Sequence, residues 1–198
     1  MTTTAPAPTL DAPPVRRRSS AWWGMVLTIV TEAMIFAGLL SAYFFLRASS
    51  DAWPPAGIEP PELRLISVMS VVLIASSLPV VWAERAIRRG DRRRLQLWLA
   101  VAWVMGAAFL AHQGIEYRAL TFGWGDNAYA SAFYLITGLH GAHLLGALLM
   151  SVVVQAKAAT GRFSADAHRT VVVFSLYWHF VDAVWVFVFA SLYLSAHL

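Results

Sequence analysis

Five long runs of apolar residues divide this chain, and their length constrains the fold more than any other feature. A helix needs about 20 mostly apolar residues to cross the hydrocarbon layer of a membrane. The runs cover residues 21–46, 65–83, 95–110, 128–156 and 170–197, and the third could extend through His112. None shows the strict alternation of a barrel strand, and lipid admits only helices or closed barrels. The sequence therefore predicts an all-α integral membrane protein, a bundle of five transmembrane helices.

The composition agrees with a membrane protein. The chain has 198 residues, of which 59% are hydrophobic and 13% charged, whereas soluble domains carry about 25% charged residues. Cysteine is absent, which excludes disulfides and thiolate metal sites. The net charge of +4 lies at the ends of the apolar runs, so we expect no nucleic-acid partner. Residues 1–20 are rich in Pro, Ala and Thr and contain three arginines. They predict a disordered cytoplasmic tail, rather than a secretory signal, before a transmembrane domain at residues 21–198.

The basic residues predict the orientation of the spans. One side of the predicted bundle carries 12 of the 15 arginines and lysines, in the N-terminal tail and in the loops after spans two and four. The other side carries only Arg47, Arg64 and Arg118. The positive-inside rule therefore predicts a cytoplasmic N-terminus and an outer C-terminus, as an odd number of spans requires.

A few ionisable residues interrupt the apolar spans. A charged group at the centre of a bilayer costs at least about 2.5–3.5 kcal/mol on insertion scales, so such residues usually face other protein or water. They are Glu32 in span one, His112 and Glu116 at the end of span three, His140 and His143 in span four, and His179 and Asp182 in span five. Their spacings of three or four residues place each pair on one helix face.

Each of these residues could take part in proton transfer or metal binding, or could form hydrogen bonds that hold helices together. Glu32 could belong to a proton path, but no chain of other intramembrane acids continues it, so a structural hydrogen bond is favoured. The histidines could bind haem or copper. However, His140 and His143 lie near the middle of span four and His179 nearer the inner end of span five. We therefore predict hydrogen bonds between helices, a clamp formed by His179 and Asp182, no metal site and no catalytic residue.

Several motifs resemble a known family. TEAMIFAGLLSAYFF, WPPAGIEP, the pair Glu116–Tyr117, FYLITGLHGAHLLGALL and YWHFVDAVWVFVF resemble, in this order, segments of subunit III of the haem–copper terminal oxidases, the cytochrome c oxidase subunit 3 family. The resemblance covers essentially the whole chain after residue 20, and YWHFVDAVW together with TGLHGAH is its most specific part. Many members have seven spans, and this chain resembles the shorter five-span bacterial form, without the first two.

The resemblance implies a supporting role in a bacterial cytoplasmic membrane. Subunit III holds no redox centre and binds subunit I, which carries haem and copper, in a complex with subunit II and others. It is thought to support proton uptake and to protect the oxidase from inactivation during turnover. Phospholipids bind in a cleft beside the first two helices of the long form. Glu32 matches the intramembrane glutamate of the family. His143, Lys157 and His168 fall where the family has basic residues, some of which contact lipid headgroups.

Other functions stay open at this level. A quinol oxidase would share the subunit, and an accessory subunit of nitric oxide reductase shares several motifs. WPPAGIEP and the complete YWHFVDAVW favour the oxidase over the reductase. An independent transporter or proton channel would need a continuous polar path, whereas the sequence offers isolated pairs. The electron donor, cytochrome c or quinol, binds elsewhere in such a complex.

Overall fold

The computed structural model describes residues 19–55, 57–58 and 61–197, and these form helices joined by short loops. The helices are α1 (Ser20–Ala48), α2 (Leu63–Ala75), α3 (Ser77–Arg88), α4 (Arg92–Ala119), α5 (Ala128–Ala159) and α6 (Arg169–Val188). Helix α6 continues through π-helical turns at Phe189–Leu194 and a 3₁₀ turn at Ser195–His197. With α2 and α3 counted as one span, five helical spans are long and apolar enough to cross a membrane, which confirms the predicted fold class. The predicted tail at residues 1–20 lies outside the described residues except for its last two.

The predicted third span was too short. Helix α4 begins at Arg92, where the Asp91 side chain accepts a hydrogen bond from the Arg94 backbone N–H at 3.0 Å, and it ends only at Ala119. Glu116 and Tyr117 are therefore helical residues. The apolar run underestimated the helix because capped and charged ends continue the backbone hydrogen bonds beyond the hydrocarbon layer.

A break at Ser76 divides the second span. Pro79 lacks a backbone N–H, so it cannot bond to the carbonyl one turn earlier, and its ring crowds that carbonyl. The Ser76 backbone N–H still bonds to the Val72 and Leu73 carbonyls at 3.1 and 3.0 Å, and the helix resumes at Ser77. The break leaves the adjacent hydroxyls of Ser76 and Ser77 at the start of α3.

The spans pack as a four-span core with α1 on its outside. Helix α4 contacts α2, α3 and α5, while α6 contacts α1, α2, α3 and α5. Helix α1 lies against α5 and α6 and buries only Phe36 and Tyr43. Gly106 of α4 permits the close approach of α6, because a Cβ atom there would lie 3.1 Å from Cη2 of Trp178.

The two ends of the bundle differ in charge. We call the end formed by residues 85–94 and 157–169 the basic end. At the opposite end, the Trp53 ring lies between Tyr43 of α1 and Tyr129 of α5, with both centroids at 5.4 Å. This loop residue therefore ties the outlying helix α1 to the core.

Candidate functional site

Two tryptophans of the YWHFVDAVW motif bind serines of the second span. The indole Nε1–H of Trp178 donates to Ser76 Oγ at 2.9 Å, and that of Trp185 donates to Ser70 Oγ at 2.9 Å. All four side chains are buried. Ser70 in turn donates to the Ile66 carbonyl at 2.7 Å, so its hydroxyl both donates and accepts. The two tryptophans are seven positions apart, about two helical turns, so α6 is attached to the second span at two depths.

His179 and Asp182 of the same motif meet at a third serine. Ser77 Oγ donates to Asp182 Oδ2 at 2.5 Å and lies 3.0 Å from His179 Nδ1. A hydroxyl has one proton to donate, so Ser77 must accept from His179, and Nδ1 therefore carries a hydrogen. The pair thus bonds to a neighbouring span through a common hydroxyl. Asp182 is only 4% exposed, and its Oδ1 has no partner among the described residues.

Glu32 and His143 join α1 to α5. Glu32 Oε2 lies 3.0 Å from His143 Nε2, while His143 Nδ1 lies 2.8 Å from the Leu139 carbonyl. Because a carbonyl only accepts, Nδ1 carries a hydrogen, and one further proton must lie between Nε2 and the carboxyl group. The pair is therefore neutral overall, as an imidazole with a carboxylic acid or as an imidazolium with a carboxylate. The Glu32 side chain is 30% exposed and that of His143 is 12% exposed.

His140 does not share the environment of His143, although both lie on α5 three residues apart. The His140 ring is fully buried, 4.8 Å from the Trp185 ring and 6.1 Å from the Phe109 ring between centroids. Its two ring nitrogens have no hydrogen-bond partner within the part of the chain that the structure describes. The i, i+3 spacing places both histidines on one face of α5. However, the His140 ring is buried in the core, whereas the His143 ring contacts Glu32 of α1.

His112 and Glu116 lie close together at the end of the bundle opposite the basic end. They line a cavity of about 380 Å³ between α2 and α4. Tyr193 of the C-terminal turns donates to Glu116 Oε2 at 3.1 Å. The neighbouring Tyr117 hydroxyl bonds to Thr137 of α5 at 2.6 Å. The Glu116–Tyr117 pair thus ties α4 to two different elements.

Lys157 and His168 lie far from Glu32 and His143. Lys157 is in the last turn of α5 at the basic end, 14 residues beyond His143 and therefore about 21 Å along the helix. His168 directly precedes α6 at the same end. The four residues matched to lipid contacts therefore form a pair near the middle of the spans and two separate positions at the basic end.

None of these arrangements has the form of a metal centre. Within residues 19–55, 57–58 and 61–197, no three His, Asp or Glu side chains come together in a way that could hold a metal ion. Aromatic rings pack around His140, the Ser77 hydroxyl contacts His179, and Glu32 faces His143. His140, His143 and His179 thus each have different neighbours.

The sequence reasoning missed the serines of the second span. Ser70, Ser76 and Ser77 bond to four of the five polar side chains of the YWHFVDAVW motif. The fifth, the Tyr177 hydroxyl, donates to the His143 carbonyl at 3.5 Å. These serines could have been noticed in the sequence, because small polar residues in a spanning helix often bond to a neighbouring helix. Serine also bonds to its own helix, however, so the sequence could not identify the partner.

Comparisons with known proteins agree with these motifs. The profile of the family described as cytochrome c oxidase subunit III matches residues 14–197. The chain is 42% identical to cytochrome c oxidase subunit 3 of Synechocystis sp. over 87% of this chain and 74% of the relative. It is 36% identical to that of Thermostichus vulcanus over 86% of this chain and 85% of the relative. It is 31% identical to cytochrome c oxidase subunit 3 of Oryctolagus cuniculus over 86% of this chain and 68% of the relative. The chain belongs to the cytochrome c oxidase subunit III family.

Proposed function

We propose that this chain is the non-catalytic subunit III of a proton-pumping haem–copper oxidase in aerobic respiratory electron transport. It packs on subunit I, which carries the haem and copper, and works in a complex with subunit II. Its role is to stabilise that complex and to support proton uptake. The family match over residues 14–197 carries this proposal.

The polar contacts of the spans support a scaffold role. The motif of α6 uses its indoles, imidazole and carboxylate on three serines of one neighbouring span. Glu32 and His143 fix α1 against α5. These groups hold helices in register, which is the requirement for a subunit that supports the redox centres of its partners.

We further propose a bacterial cytoplasmic membrane with the basic end facing the cytoplasm. The chain has no cysteine, so single-cysteine variants report sidedness directly. R93C at the basic end should react with a membrane-impermeant maleimide only after lysis. G125C, in the loop before α5, should react in cells whose cytoplasmic membrane is intact. The reverse pattern would overturn the orientation.

Bound phospholipid is part of the proposal. Glu32 and His143 lie together near the middle of the spans, where a lipid acyl chain would lie beside the partly exposed carboxyl group. Lys157 and His168 would meet headgroups at the basic end. Because Lys157 presents a single ammonium, a phosphate contact there would lack the two parallel bonds of an arginine.

Isolation of the native complex through a tag on the N-terminus tests the function. We expect haem in the reduced-minus-oxidised spectrum and cyanide-sensitive O₂ uptake with reduced cytochrome c. O₂ uptake with quinol alone would identify a quinol oxidase. Reduction of nitric oxide without O₂ uptake would identify the reductase. A chain that purifies alone and colourless in mild detergent would refute the oxidase role and favour a transporter.

A further inference from the structure

A cavity opens at the basic end between α3 and α4, and none of the candidate site residues described above lines it. Its volume is about 470 Å³. Two tryptophans, Trp82 and Trp98, form one part of its lining, with ring centroids 4.6 Å apart. The polar part is formed by Arg85, Arg89, Asp91 and Arg94.

The charges of the lining are unbalanced. Three arginines and one aspartate leave two positive charges. Asp91 already engages Arg94, with Oδ2 and Nε 3.3 Å apart. Across the described residues, no ion pair engages Arg85 or Arg89. Two guanidinium groups therefore remain available to an anion, and each has the planar donor set that binds phosphate through two parallel bonds.

The cavity also lies where a lipid headgroup would. Trp82 is 40% exposed near the end of its span, a position at which tryptophan marks the membrane interface. Leu78, one turn deeper on the same face of α3, is exposed as well. A phosphate held by the arginines would thus have an apolar helix face directly below it for the attached chains. Basic pockets between spans on this side of a membrane are suited to anionic headgroups.

We propose that this cavity binds the phosphate headgroup of an anionic phospholipid, with Arg85 and Arg89 on the phosphate and the acyl chains along α3 beneath Trp82. The site is separate from Glu32, His143, Lys157 and His168. It also differs in chemistry from the Glu32–His143 pair, because two guanidinium groups select for negative charge.

Native mass spectrometry of the detergent-purified full chain tests this. Phosphatidylglycerol and phosphatidylcholine with identical acyl chains are titrated separately. We expect phosphatidylglycerol to bind about tenfold more tightly, and the R85Q/R89Q variant to lose that preference. The control is R88Q/R93Q, which removes the same charge from the same segment at positions outside the cavity lining. It should weaken binding by less than about threefold. Thermal unfolding of both variants verifies that they fold.

Three results would overturn the proposal. Equal losses in the two double variants would mean that the basic end attracts anionic lipid only as a diffuse charge. Displacement of the lipid by inorganic phosphate in modest excess would indicate a small-anion site. An intact oxidase complex that binds no phosphatidylglycerol here, and that loses a neighbouring subunit in the R85Q/R89Q variant, would assign the cavity to an acidic segment of that subunit.

Discussion

Removal of the Ser77 hydroxyl should loosen α6 from the second span. In S77A, Asp182 loses the hydrogen bond to Oδ2, and the Nδ1–H of His179 loses its acceptor. Hydrogen bonds between membrane helices average about 0.6 kcal/mol and reach about 1.7 kcal/mol, while an orphaned buried polar group costs about 1–3 kcal/mol. Two bonds and a carboxyl that is 4% exposed therefore predict a loss of about 1–2 kcal/mol in the free energy of unfolding.

The assay is reversible unfolding of the purified chain in mixed micelles with increasing sodium dodecyl sulfate. Tryptophan fluorescence reports the docking of α6, because Trp178 and Trp185 bind the same span as Ser77, and circular dichroism reports helix content. S50A is the control, since Ser50 is an exposed residue just beyond the end of α1. Among the described residues, its hydroxyl bonds only to the Leu46 carbonyl. S50A should change the free energy of unfolding by less than about 0.5 kcal/mol.

A double-mutant cycle identifies the contact itself. S77A, D182A and the combined variant should give a coupling energy of about 0.5–1.5 kcal/mol. If S77A unfolds like the wild type, or if the two substitutions are additive, then Asp182 does not depend on this hydroxyl. The Ser77–Asp182 contact would then not contribute to the docking of the YWHFVDAVW motif on the second span.

Three further predictions concern other contacts and use the same unfolding assay. G106V should lower the free energy of unfolding by about 1–3 kcal/mol, because the new side chain would meet Trp178. G114V, at a position with open space around it, should have little effect. Equal effects of the two substitutions would contradict the close packing of α6 on Gly106. E32Q should retain near-wild-type stability, because its amide can donate to His143. E32A should lose about 0.5–1.5 kcal/mol in the free energy of unfolding. A loss of stability in E32Q would mean that the carboxylate charge is required. Y117F should cost less than about 1 kcal/mol, since its threonine partner keeps a backbone acceptor, and a larger loss would show that the tyrosine hydroxyl has a second role.

The polar residues of the spans were recognisable from sequence, but their partners were not. Placing Glu32, His143, His179 and Asp182 in apolar runs was sufficient to predict hydrogen bonds between helices. His179 and Asp182, spaced i, i+3, both bond to Ser77. His140 and His143 have the same spacing but different neighbours: His140 packs on Trp185, whereas His143 bonds to Glu32 of α1. Two residues on one face of a helix can contact two different neighbouring helices. Periodicity describes one helix and carries no information about which helix packs where.

The sequence by itself determined the five spans, the predicted orientation and the family, because the thickness of a bilayer and the order of motifs are properties of the linear chain. Only the tertiary structure showed that one span contains a break, and that three serines of this span bond to Trp178, His179, Asp182 and Trp185 of α6. It also brought Arg85, Arg89 and two tryptophans from two helices around a single cavity. These arrangements depend on the rotation and depth of each helix against its neighbours, which follow from close packing such as that of Trp178 on Gly106.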